Sequence, residues 1–186
     1  MDSNEIWHRL REYSQWKCLM GCSIQPDPGT ERKVEGNAAM GLKMMHAYGL
    51  LTCIEIDGSQ LQGIEHPNPS QIRLVKLKNP WGFGEWTGRW SDRWIDENEN
   101  ADRIQSLFHE AESNEGERTE FMESDGIFYM LFEDWLQYFS HLFVGVQFPD
   151  QDGPWKKATV RIDWIPNVGG HRKLKTWMSN PRVRLK

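Results

Sequence analysis

The apolar positions Ile6, Trp7, Leu10 and Tyr13 share one face at helical spacing, and the compact run CLMGCSI after them has the length of a buried strand. QPDPGTERKVEGNAAMG is broken by Pro, Gly and charge, which predicts a loop. HAYGLLTCIEI then predicts a long strand; DGSQLQGIEHPNPSQ turns the chain and IRLVKLK runs back, so residues 45–78 read as a long-looped antiparallel pair. Farther on, Ile104, Leu107, Phe108 and Ala111 recur at helical spacing among charged residues, predicting an amphipathic helix on the sheet. SNEGERTE reads as exposed linker. GIFYML, FEDWLQYF and HLFVGVQF predict strand, short helix and strand, returning the chain to the same sheet by Phe148.

PDQDGP, residues 149–154, is a break in composition of the kind that separates domains. Residues 155–186 are basic, carry two short strand-like runs, ATVRIDW and RVRL, and are too few to bury a core of their own. Their charge reads as edge-strand protection rather than a nucleic-acid patch. The chain thus divides into a first domain over 1–148, a linker over 149–154 and the opening of a second domain over 155–186.

Composition narrows the function classes. The 186 residues carry 22 basic and 27 acidic side chains, a net charge of -5 that gives no broad footprint for nucleic acid. No apolar run reaches the length of a membrane span, and the polar, acidic start MDSNEIWHRL is unlike a secretory signal, so the expected location is the cytoplasm. Cys18, Cys22 and Cys53 are odd in number, form no CxxC pair and sit among apolar residues, which reads as reduced core thiols. Ten tryptophans bring large apolar area with indole donors to satisfy.

Chemistry enters at the ends of the strand pair. His46 opens one strand and Asn79 closes the other, so antiparallel pairing sets the two side chains side by side. A histidine oriented by an asparagine is the base-and-orienter half of a Cys-His-Asn triad. The same residues also read blandly, since Asn-Pro marks a strand-ending turn and a histidine at a strand start serves structure.

MHAYGLL followed by VKLKNPWGFGEWTGRWSD resembles the second half of the calpain protease core, where His-Ala-Tyr and Asn-Pro-Trp-Gly carry the catalytic histidine and asparagine. The resemblance extends back to LMGCSI, forward through DGIFYMLFEDWLQYFSHLFV, and on to VGGHRKLKTWMSNPRVRL, which is similar to the start of the calpain β-sandwich domain. It implies His46 as general base, Asn79 as its orienter and Trp81 shielding the pair and lining the substrate cleft. It also implies Ca²⁺ held by Glu85, Asp92, Asp125 and the Glu123 carbonyl, weakened because Ile127 stands where the family has a carboxylate. Calpains usually carry glycine where this chain has Met45, and the loop containing HPNPS is longer than usual. The family's nucleophile motif, Gln-Gly-x-x-Gly-Asn-Cys-Trp, has no counterpart; Cys22 falls on a core strand rather than at a helix N-terminus that would activate it.

These readings give an α+β fold, an antiparallel barrel-like sheet flanked by helices as in a papain-like second subdomain, followed by the first strands of a β-sandwich. The expected function is the His-Asn half of a calcium-dependent intracellular cysteine endopeptidase acting on protein or peptide, inactive alone for lack of the cysteine. The alternative is a non-catalytic calpain-like interaction module.

Overall fold

The structure is a computed structural model that describes residues 2–26, 35–66, 68, 70–113 and 125–145. Two compact units divide the chain, Met1–Gln147 and Phe148–Lys186. The expected linker at 149–154 and sandwich strands within 155–186 lie outside the described residues, as do most of SNEGERTE and the residue Glu123.

Helix α1 (Ser3–Gln15) opens the first unit, burying Trp7 and Leu10 from the face that the apolar spacing marks out. Strand β1 (Leu19–Ser23) follows, and a small hairpin of β2 (Gly36–Asn37) and β3 (Lys43–Met44) leads to the long strand β4 (Ala47–Asp57). A 3-10 turn at Gly58–Leu61 begins the return to β5 (Gln71–Lys78). Next come α2 (Asp92–Asp96), α3 (Ala101–Ser113), β6 (Ile127–Leu131), α4 (Phe132–Tyr138) and β7 (His141–Gly145). The two-residue strands and α2 are too short to leave a periodic signal, and the sequence pattern misses them.

Five strands form one antiparallel sheet in the order β6-β5-β4-β1-β7. Among the described residues β6 and β7 are its two edges, so the sheet is open and does not close into the expected barrel. Helices cover both faces because the strands alternate. Val75 and Leu77 of β5 join Phe128 and Met130 of β6 in a core with Trp7, Leu10, Phe132 and Trp135. Ile72 and Leu74, with Tyr129 and Leu131, face the other way onto Trp90, Ile95, Ile104 and Phe108. On β4 the alternation slips: Tyr48, Leu50 and Cys53 all face the first core, although their numbers change parity. A register shift between Leu50 and Thr52 accounts for this, since one extra residue flips every later side chain and leaves Leu51 exposed.

Three charged or polar groups are buried together beneath α3. Lys76 Nζ lies 2.6 Å from Glu112 Oε1, and the Tyr129 hydroxyl donates to the same oxygen. Burial, reinforced by the neighbouring Glu112 charge, pushes the Tyr129 hydroxyl far above its ordinary range, so it remains a donor.

Candidate active site

The register of β4 against β5 pairs Gly49 with Lys78, which brings the residue before β4 beside the residue after β5. His46 is the first of these and Asn79 the second. Their side chains meet at 2.8 Å between Nε2 and Oδ1, in a setting where Asn79 is fully buried and His46 is 8% exposed.

Asn79 is held by its neighbours in sequence. Pro80 keeps the preceding residue extended, and a turn closes as Gly82 N–H donates to Asn79 O at 3.0 Å. The side-chain amide then uses everything it has. Its Nδ2 donates to the carbonyls of Phe83 at 2.7 Å and Gly84 at 3.0 Å. Its Oδ1 accepts from Trp81 N–H at 3.1 Å as well as facing the imidazole. Because the two carbonyls can only accept, the amide orientation is fixed, and because Oδ1 can only accept, His46 Nε2 carries a proton and donates it.

From the far side, a glycine supports the same turn. Asn79 N–H donates to Gly126 O at 2.7 Å, and Gly126 N–H donates to Glu85 Oε1 at 2.8 Å. Gly126 has φ +84°, and a Cβ there would stand 2.7 Å from Asn79 O, so glycine is required twice over.

Aromatic rings enclose the imidazole. The Trp81 ring centroid is 4.5 Å from that of His46, and Tyr48 packs edge-on at 4.9 Å. Trp81 and Phe83, 5.9 Å apart, are largely exposed and form an apolar ledge beside the pair. Of the three tryptophans in the loop, only Trp81 serves the site. Trp86 and Trp90 are buried in the two cores, with the Trp86 indole N–H donating to Arg89 O. Met45 takes the left-handed conformation that a glycine would take freely, with φ 56°, and its side chain turns toward solvent.

The second imidazole nitrogen has a partner that nothing in the sequence pattern singles out. His46 Nδ1 lies 2.6 Å from Glu35 Oε1, the carboxylate arriving from the loop before β2. No thiol takes that place among the described residues: none of the three cysteines is in a disulfide, and all three are buried. Cys22 pairs across the sheet with Tyr48, and burial pushes its thiol up to about 12. It packs within the first core.

Three of the expected calcium ligands are within the described residues. Glu85 caps Gly126 N–H, and Asp125 Oδ1 accepts from Ile127 N–H at 2.7 Å. Asp92 is buried in the first turn of α2, close enough to Tyr129 for its charge to help raise that hydroxyl. Among the described residues no three His, Cys, Asp or Glu side chains are grouped to hold a metal ion. The fourth expected ligand, the Glu123 carbonyl, lies outside the described residues.

Residues 1–145 match the family model described as calpain family cysteine protease. The chain is 30% identical over 187 residues to Calpain-A of Drosophila melanogaster, covering 93% of this chain and 20% of that protein. It is 28% identical over 183 residues to the calpain-2 catalytic subunit of Mus musculus, covering 90% of this chain and 22% of that one. It also matches a calpain-type cysteine protease of Zea mays, 25% identical over 187 residues, with 99% of this chain and 7% of that protein covered. The chain belongs to the calpain family of cysteine proteases. It spans about a fifth of the length of the first two relatives.

Proposed function

We propose that this chain supplies the base and its orienter, His46 and Asn79, to a calpain-type cysteine endopeptidase whose nucleophile lies on another segment. The observation that carries the reading is the fully satisfied Asn79 amide, whose only role for its remaining lone pair is to receive His46 Nε2–H. With Nε2 so committed, Nδ1 is the nitrogen that carries the proton of a thiolate–imidazolium pair. The resulting thiolate attacks the carbonyl carbon of a peptide bond, and the proton on Nδ1 passes to the leaving amine as the bond breaks. Water then hydrolyses the thioester, with the same nitrogen accepting and returning its proton. Trp81 covers the imidazole and keeps water from the His46–Asn79 bond, while the Trp81–Phe83 ledge contacts an extended protein or peptide substrate. The setting proposed is cytoplasmic, and no described helix is long and apolar enough to cross a membrane. Calcium dependence remains an expectation from the resemblance; among the described residues no three His, Cys, Asp or Glu side chains are grouped to hold a metal ion.

The test is complementation. The chain alone is expected to be inactive, and adding a separate Cys-bearing half should restore peptide hydrolysis. His46→Ala should abolish the restored activity, whereas Asn79→Ala should reduce it less, because orientation is lost while the base remains. Restored activity indifferent to His46→Ala would overturn the assignment. The exposure of Trp81 and Phe83 favours a second reading, a non-catalytic module that binds a partner through that ledge. Partner binding that is lost on Trp81→Ala but unaffected by His46→Ala would select it.

A further inference from the structure

Glu35 stands where the proposed chemistry needs a thiol. Asn79 Oδ1 occupies the Nε2 side of the imidazole and Glu35 Oε1 the Nδ1 side, at 2.8 Å and 2.6 Å. Both are acceptors. The Asn79 amide cannot turn over, since Nδ2 is held by two carbonyls, and a carboxylate has no proton to give. An imidazole between two acceptors satisfies both only when both nitrogens carry protons, which is the imidazolium.

Among the described residues, the other groups around the ring do not supply that charge balance. Tyr48, packed edge-on from β4, is neutral because burial pushes its hydroxyl up to about 12. Cys22, opposite it on β1, is kept as the thiol in the same way. Lys43 approaches Tyr48 with its backbone N–H, while its ammonium is turned to Asn37. On the side of the Asn79 turn, Glu85 and Asp125 are directed to the N–H groups of Gly126 and Ile127. Trp81 and Phe83 carry no charge.

We propose that Glu35 is a built-in counter-ion that takes the thiolate's place on His46 and holds the chain in a capped resting state. This rests on the reading of His46 and Asn79 as the base and orienter of a cysteine protease and adds its regulation. The imidazolium that a Cys–His ion pair requires is formed before any cysteine arrives. Docking of the nucleophile is then an exchange of anions: the incoming thiol releases its proton to solvent, its thiolate takes the Nδ1–H bond, and the Glu35 carboxylate returns to water. Glu35 is suited to leaving, since its side chain is about a third exposed.

Two measurements on the full chain test this. The first is ¹⁵N NMR of the His46 ring at neutral pH, which needs no partner and no activity. Two proton-bearing ring nitrogens are expected in the native chain, falling to one, Nε2, in Glu35→Gln, with the amide dispersion of the folded protein retained. A single protonated nitrogen in both chains would overturn the proposal. So would a Glu35 carboxyl carbon signal in the protonated range, since the acid rather than the imidazole would then hold the proton. The second is affinity for a Cys-bearing half. Freed from displacing a charge-assisted but partly exposed bond, Glu35→Gln should bind about tenfold tighter. Unchanged or weaker binding by the variant would contradict the capping role. If neither chain binds, the proposed division of the protease fails, while the NMR result still decides for or against Glu35.

Discussion

Replacing Asn79 by alanine removes a buried amide that makes four hydrogen bonds, at 2.7, 2.8, 3.0 and 3.1 Å. Each is worth about 1 kcal/mol net, and a partner left buried without replacement costs more, about 1–3 kcal/mol. The four partners are unlike. Phe83 is largely exposed, whereas the imidazole is buried against the Trp81 ring. The expected destabilisation is about 2–4 kcal/mol, or a fall in midpoint of about 5–15 °C for a domain of this size. Urea unfolding followed by far-UV circular dichroism measures it. The m-value should stay constant, because the change concerns one loop. A destabilisation below about 0.5 kcal/mol would show that the turn is held by its backbone bonds alone and that the amide network is not the support described here.

Three further outcomes are expected. Gly126→Ala forces a side chain into a left-handed position 2.7 Å from Asn79 O and 2.8 Å from Gly82 Cα, whereas Gly63, at φ +82°, has nothing within 4 Å. Thermal melts should therefore show a loss of about 3 kcal/mol for Gly126→Ala but about 1 kcal/mol for Gly63→Ala, and equal losses would refute the close approach. Glu112→Ala withdraws the carboxylate shared by Lys76 and Tyr129 and should cost about 3 kcal/mol, most of it recovered by the double variant Lys76→Met with Glu112→Leu; a double variant as unstable as the single one would contradict a desolvation cost. Calorimetry with Ca²⁺ should give at most weak binding, near about millimolar ion, because Ile127 stands where the family has a carboxylate, and tight binding that survives Asp92→Ala would show that the expected ligands are the wrong ones.

The strands and long helices were readable because their apolar residues recur at the periods of two opposed faces: Ile72 and Leu74 against Val75 and Leu77, or Trp7 and Leu10 along α1. The meeting of His46 with Asn79 was readable because both flank long strands whose antiparallel pairing fixes their separation. What escaped the sequence depends on approach from a distance. Glu35 lies eleven residues before His46 in a loop without periodicity, and nothing about an isolated glutamate announces an imidazole partner. Trp81, Trp86 and Trp90 are alike in sequence, but the turn at Gly82 and the left-handed backbone at Trp90 send the latter two inward. The particular partners of the loop acids were equally illegible: Asp92 lies in a helix start near Tyr129, and Glu85 accepts from Gly126 N–H.

The double use of Asn79, as support for the turn and as partner of the imidazole, determines how activity measurements must be read. If the unit is stable by about 5 kcal/mol, the low end for a domain, a loss of about 3 leaves about 2 kcal/mol, and some 97% of molecules remain folded. Unfolding then lowers activity by only a few per cent. A tenfold or larger loss in Asn79→Ala must come from an imidazole that has lost its orientation, since the folded fraction cannot supply it. Gly126→Ala provides the comparison: it loosens the same turn from the other side while leaving the Asn79 amide in place. A matched loss of stability with a smaller loss of activity in Gly126→Ala would separate the two roles of Asn79, and equal losses of both would mean that the turn, rather than the amide, is what holds His46.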